Sequence, residues 1–183
     1  SISADGEIVA LGGNEYSDGL GRVKVFDYTS CESPSAELSE YPSISLSAEP
    51  SEYPSLSPSS SDPSSSPSQQ CGWTQRGSDI IGEDSYEQLG YRLDLASDGN
   101  VIVVGSYAKN ITNATGGINI EAGSVSVFYF DDDSSDWNQL GGDIDGEHYG
   151  GHEGEAVSIS GDGKVVAVGA QFAADIGSAR VFR

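Results

Sequence analysis

Few side chains in this sequence offer reactive or metal-binding chemistry at a usable spacing. His148 and His152 stand four residues apart, a separation that on a helix would aim both imidazoles at one metal ion. Gly150, Gly151 and Gly154 deny them that helix, and no third ligand accompanies them, so a polar loop is expected. Asp131-Asp132-Asp133 with Asp136 is a like-charge run expected to be a solvated hairpin tip. Cys31 and Cys71 are the chain's two cysteines; they are open to reading as a disulfide, as free thiols or as metal ligands. Asn110-Ile-Thr112 and Asn113-Ala-Thr115 are adjacent acceptor sequons for N-glycosylation. No Ser/His/Asp spacing or phosphate-cradling glycine loop occurs, and acidic residues are too abundant to single out a glycosidase pair. No catalytic residue is assigned, and a non-enzymatic protein is expected.

These residues are carried by a repeat. Gly90-Tyr-Arg-Leu-Asp-Leu-Ala-Ser-Asp98-Gly99-Asn-Val-Ile-Val-Val-Gly105 returns as Gly154-Glu-Ala-Val-Ser-Ile-Ser-Gly-Asp162-Gly163-Lys-Val-Val-Ala-Val-Gly169, and its tail opens the chain as Ile2-Ser-Ala-Asp5-Gly6-Glu-Ile-Val-Ala-Leu-Gly12. Such a unit must stack on copies of itself to bury its apolar face. In the central copy, alternating apolar residues and turn signals predict four antiparallel strands: A (about 91–96), B (100–106), C (123–130) and D (137–144). The Asp98-Gly99 dipeptide makes the A–B hairpin. The first copy supplies B at 7–12, C at 21–28 and D from Trp73 to Ile80. The third supplies A at 155–160, B at 164–170 and C from Gly177 to Phe182. Trp73 and Trp137 open equivalent D strands, so packing explains them better than sugar stacking.

A pattern W-x-Q-x-G-x-x-I-x-G, then S-x-D-G-x-x-V-x-V-G, then G-x-V-x-V-F resembles the FG-GAP-type repeats of integrin α-subunit β-propellers and of secreted propeller proteins of marine microbes and microalgae. The resemblance covers everything except residues 29–72. It implies an all-β, incomplete β-propeller of four-stranded antiparallel blades, about 2.75 of them, where a closed propeller takes roughly four to eight. Integrin-type blades often bind calcium in the A–B turn through a run of alternating carboxylates. Here Asp94, Asp98 and Asp162 are the remnants of such loops, and Asp5 stands in the third. Each loop keeps one or two carboxylates and ends on an apolar residue, so turn formation is the preferred reading and no cofactor is expected, with calcium as the alternative. In propellers the D–A and B–C loops share a rim. The resemblance therefore groups Glu15 and Tyr16 with Asp84, Tyr86 and Glu87, and with His148 and Tyr149, as a candidate ligand surface.

Residues 31–72 differ in kind. All seven prolines of the chain and none of its 24 glycines fall between Pro34 and Pro67, amid a serine-rich, acidic stretch without Lys or Arg. This composition predicts an extended, solvated insert. Aligned on Phe26/Phe128 and Trp73/Trp137, the two cysteines fall within the short C–D turn of the next copy, bracketing the insert where a hairpin should close. A Cys31–Cys71 disulfide is the preferred reading, and with the paired sequons it predicts a secreted or cell-surface protein. The organisation expected is therefore first-copy strands in 1–30, insert 31–72, first strand D and connection 73–90, second copy 91–144, and connection with a partial third copy 145–183.

Eight basic against 29 acidic residues give a net charge of −21, which argues against nucleic acid or anionic membranes as partners. No apolar run is long enough for a membrane span, and Ser1 reads as the start of an internal or processed piece. The function predicted is a surface adhesion or binding module for extracellular protein, glycan or wall matrix, joined to further blades in cis or by self-association. Two alternatives remain open. One is a structural wall or mineral-matrix protein acting through the insert; the other is part of a propeller enzyme whose catalytic residues lie outside these residues.

Overall fold

The computed structural model describes residues 1–30 and 71–183. The insert and Cys31 lie outside the described residues. The described chain is all-β and folds as three successive antiparallel sheets with one small hairpin. The first sheet contains β1 (Ile8–Gly13), β2 (Arg22–Thr29), β3 (Gly72–Gln75) and β4 (Ile80–Ile81), with β2 pairing β1 on one side and β3 and β4 on the other. The second contains β5 (Arg92–Leu95), β6 (Val101–Ser106), β9 (Ser124–Asp131), β10 (Asp136–Gln139) and β11 (Ile144–Asp145) in the order β5-β6-β9-β10, with β11 also on β9. The third is β12 (Glu153–Ile159), β13 (Val166–Ala170) and β14 (Ser178–Phe182).

Predicted strands A, B and C of the central copy are thus β5, β6 and β9. Predicted strand D is not one strand. Gly141 adopts φ +77°, a left-handed conformation that interrupts the ladder, so the segment splits into β10 and β11. The predicted B–C loop also holds a hairpin of its own, β7 (Ile111–Thr112) and β8 (Ile118–Asn119). At the start of the chain, strand A is reduced to a single bridge between Ile2 and Val9.

The sheets stack in chain order through their faces. Ile102 and Val104 of β6 bury against Ile8, Ala10, Val23 and Val25 of the first sheet, while Val103 and Val125 bury against Ile159, Val166 and Val168 of the third. Strand β6 is therefore apolar on both sides, which explains why its sequence runs continuously rather than alternating.

Equivalent residues meet across both seams. Ser97 N–H donates to the Gly161 carbonyl at 3.0 Å, and Ala4 N–H donates to the Ser97 carbonyl at 2.9 Å; residues 4, 97 and 161 occupy one repeat position. Asp94 accepts from Ser1 Oγ and Ser158 Oγ at 3.1 Å each and from Ile159 N–H at 3.0 Å, and residues 1, 94 and 158 are likewise equivalent. The glycines are spent here. A Cβ on Gly12 would lie 2.1 Å from the Gly90 carbonyl oxygen, and one on Gly105 would lie 2.1 Å from that of Gly154, so backbone packs on backbone at both seams.

The C–D hairpins keep one register whatever lies between their strands. Tyr28 pairs with Trp73 and Thr29 with Gly72, as Phe130 pairs with Trp137 and Asp131 with Asp136.

Candidate functional site

The strand directions bring the B–C loops and the linkers between copies to the same end of the three sheets. Each linker lies along the preceding loop through backbone hydrogen bonds. Tyr86, Gln88 and Leu89 N–H groups donate to the carbonyls of Asp18, Gly19 and Leu20 at 2.8–3.2 Å; one copy on, Gly150, His152 and Glu153 N–H donate to Ile120, Glu121 and Ala122 at 2.8–3.1 Å. Left-handed backbone turns these carbonyls outward, with φ of 57° at Asp18, 78° at Gly19 and 50° at Glu121.

Of the rim residues expected from sequence, Glu15, Tyr16, Asp84, Tyr86, His148 and Tyr149 are exposed on these loops, with Tyr86 at 70% and Tyr149 at 72%. The Tyr16 and Tyr86 loops adjoin, and the Arg22 guanidinium sits 4.1 Å over the Tyr16 ring. Tyr149 lies on the equivalent loop one copy later. Glu87 needs correction. It is 2% exposed, and its carboxylate accepts from Glu83 and Asp84 N–H at 3.1 and 2.9 Å and from Ser106 Oγ at 3.2 Å. Burial is bearable because these donors satisfy both oxygens and Lys109 lies nearby, so Glu87 braces the loop from beneath instead of standing on its surface.

Lys109 is the cation under this loop. Its ammonium contacts the Asp143 carboxylate at 2.9 Å and Glu83 at 3.9 Å. Burial pulls its pKa down, but the hydrogen bond to Asp143 and the fields of Glu87, Asp143 and Glu83 outweigh burial and hold it above the ordinary lysine value. For Asp143, burial pushes up, and hydrogen bonds from Ser126 and Lys109 prevail, keeping it below the ordinary carboxylate value. The D-strand motif places Gln139 Nε2 2.7 Å from Asp143, just as Gln75 Nε2 lies 2.8 Å from Asp79.

Sequence reasoning missed an aromatic row at the seam between the second and third copies. Tyr91 and Tyr107 have ring centroids 4.4 Å apart, Tyr107 and His152 are 5.3 Å apart, and His152 and Phe172 are 5.2 Å apart. Carboxylates flank it, with Glu121 3.6 Å and Glu155 3.9 Å from the His152 nitrogens. These rings come from a linker, two B–C loops and a strand end, and no local spacing announces them. His152 is thus stacked edge-on in this row. Among the described residues, no group of three or more His, Cys, Asp or Glu converges with metal-binding geometry.

The turn carboxylates have local partners. Asp5 accepts from Ser3 Oγ at 2.6 Å and Glu7 N–H at 3.0 Å; Asp162 accepts from Ser160 Oγ at 2.6 Å and Lys164 N–H at 3.2 Å. In both, the serine hydroxyl is the main reason the carboxyl lies below its ordinary pKa. Asp98 accepts from Asn100 N–H at 3.0 Å. Asp94 is instead the cross-seam acceptor described above.

In the hairpin β7–β8, Asn113 is exposed and its Oδ1 accepts from Thr115 Oγ1 at 2.7 Å and Gly117 N–H at 2.9 Å. Asn110 is exposed, and its Oδ1 accepts from Glu121 N–H at 2.9 Å. Cys71 is exposed beside Gly72 at the start of β3 and is not a free thiol. The Cys31–Cys71 pairing itself reaches outside the described residues. No helix among the described residues is long and apolar enough to cross a membrane. No protein-family model matches the chain, and no curated protein matches it.

Proposed function

We propose that the chain is part of an extracellular, non-enzymatic β-propeller of FG-GAP type that binds protein, glycan or matrix through its loop rim. The propeller reading is supported by the repeated seams, in which the same positions of successive copies meet at the same distances. The observation that carries the binding reading is the concentration of exposed rings at one end of the sheets. Tyr86, Tyr149 and Phe172 stand out from a surface rich in carboxylates, and rings of this kind offer apolar platforms with polar rims. Glu15, Glu83, Asp84, Glu121 and Glu147 supply acceptors for sugar hydroxyls or basic side chains. Extracellular placement rests on the Cys31–Cys71 disulfide proposed at the mouth of the insert and on the exposed sequons.

The test is binding of purified protein to glycan arrays and cell-surface extracts. Asp84→Asn, Tyr86→Ala, Tyr149→Ala and Phe172→Ala together should reduce binding at least tenfold, because a stacked ring contributes on the order of 1–3 kcal/mol. Asp98→Ala and a chelator should leave binding unchanged. Loss of binding with the chelator or Asp98→Ala, with the rim variants unaffected, would transfer the site to the turns and to calcium.

A further inference from the structure

The β7–β8 hairpin turns its two faces to different surroundings. Ile111 pairs with Asn119 and Thr112 with Ile118, and residues paired directly opposite share a face. The Ile111–Asn119 face looks inward: Ile111 is half-buried, and Asn119 Nδ2 donates to the Glu147 carbonyl at 3.1 Å. The Thr112–Ile118 face looks outward, with Ile118 62% exposed. Alternation carried one residue further along each arm adds Asn110 and Ile120 to it, the latter 46% exposed. Two isoleucines thus stand in solvent on a hairpin too short to bury them.

The same face carries a sequon. Asn110 and Thr112 frame it, and both are exposed. The Asn110 Oδ1 accepts from Glu121 N–H at 2.9 Å, which fixes the carboxamide beside Ile120 and leaves its Nδ2 without a partner among the described residues. Asn113 differs. Its Oδ1 accepts from Thr115 N–H at 3.1 Å, Thr115 Oγ1 at 2.7 Å and Gly117 N–H at 2.9 Å, and its Nδ2 lies 2.9 Å from where a Cβ on Gly117 would sit. This carboxamide closes the turn, and a sugar on its nitrogen would be driven against the Gly117 backbone.

We propose that the hairpin carries its N-glycan on Asn110, that the first sugars lie over Ile118 and Ile120, and that Asn113 stays unmodified as the lock of the turn. The transfer forms a bond from Asn110 Nδ2 to C1 of the first sugar and breaks the bond from C1 to the pyrophosphate of a lipid-linked oligosaccharide. The lipid pyrophosphate leaves, and the displaced amide proton goes to solvent. A sugar ring has an apolar C–H face and hydroxylated edges, so it covers the isoleucines while presenting hydroxyls to water. The inference rests on the extracellular placement proposed above. In a secretory host both sequons are presented whatever the native address, so a negative result bears on the hairpin and leaves that placement and rim binding to their own tests.

The full chain is secreted from a eukaryotic cell line as wild type, Thr112→Val, Asn113→Asp and the double variant Ile118→Ser with Ile120→Ser. Site occupancy is read by mass spectrometry of glycopeptides. Thr112→Val removes the first sequon; Asn113→Asp removes the second and keeps the Oδ1 acceptor. Wild type and Asn113→Asp should carry the glycan on Asn110. Thermal unfolding is then compared before and after an amidase removes the glycan, which turns the modified Asn into Asp in every protein alike. The midpoint should fall by a few degrees in wild type and Asn113→Asp and stay in place in the double isoleucine variant. In Thr112→Val, a glycan on Asn113 should lower the midpoint and its removal should raise it. Asn113 occupied with Asn110 bare in wild type, neither site occupied, or a shift on glycan removal that is the same with and without the isoleucines overturns the proposal.

Discussion

Replacing Asp94 by alanine removes the carboxylate on which three copies converge. Its partners are unequal. Ser1 and Ser158 are exposed, so their hydroxyls turn to water at little cost. Ile159 is 8% exposed, and its N–H points away from β13 toward Asp94 at 3.0 Å, so it is left without a partner in a buried setting. An orphaned buried donor costs about 1–3 kcal/mol, so the expected loss is about 2 kcal/mol. For a folded body of this size that lowers the thermal midpoint by about 8 °C. Asp98→Ala removes a turn contact that is open to solvent and should cost under about 1 kcal/mol. Urea and thermal unfolding of wild type and both variants, each with and without a chelator, is the assay. The Asp94 effect should persist unchanged in chelator. A loss below about 0.5 kcal/mol refutes the seam argument, and so does a chelator that brings wild type down to the variant's midpoint, since Asp94 would then be holding a metal ion.

Gly105→Ala should destabilise by about 3 kcal/mol or more, because a Cβ 2.1 Å from the Gly154 oxygen forces two backbones apart, whereas Gly142→Ala, whose Cβ meets nothing, should be neutral in the same urea titration. Lys109→Met should cost about 2 kcal/mol at neutral pH by leaving Asp143 and Glu87 without their cation. The pH dependence follows from the two shifts. Asp143 lies below its ordinary value, so its contribution is present above the ordinary carboxylate range and is lost as pH falls through its lowered folded pKa. Lys109 lies above its ordinary value, so its contribution is complete below the ordinary lysine range and is lost as pH rises through its raised folded pKa. The gap between wild type and Lys109→Met should therefore be flat from about pH 5 to 9 and shrink at both extremes. A gap confined to one extreme of pH would show that the pair is not its source.

The strands were legible because each has a local signature: Leu93 and Leu95 alternate, Asp98-Gly99 turns, and Val101 to Val104 is β-branched. What lies between copies was less so. The split of strand D depends on left-handed Gly141, whose dipeptide Gly141-Gly142 reads equally well as slack within a strand. The β7–β8 hairpin is built from Asn, Thr and Gly with an isoleucine on each arm, too weak an alternation to distinguish from loop. Exposed Tyr16, Tyr86 and Tyr149 could be grouped from sequence only through the resemblance, which puts the D–A and B–C loops at one end of the sheets. The burial of Glu87 could not be read that way, because the partners that bury it, Ser106 and Lys109, come from the next copy. Tyr91, Tyr107, His152 and Phe172 meet for the same reason, through the way sheets are stacked rather than through any spacing along the chain.

The shared register of the two C–D hairpins sets an entropic cost on the insert. Between Thr29 and Gly72 the chain is about tenfold longer than between Asp131 and Asp136, yet it returns to the same pairing. Closing a loop tenfold longer costs roughly 2 kcal/mol more on the logarithmic scaling of loop closure. A covalent link between Cys31 and Cys71 at the loop's mouth would remove that penalty from the folded side of the balance by charging it to the unfolded chain, where the two ends are already tied. Reduction should then act as a length-dependent destabiliser of the first sheet alone. The serine- and proline-rich segment becomes free to vary in length without loosening the hairpin that carries it.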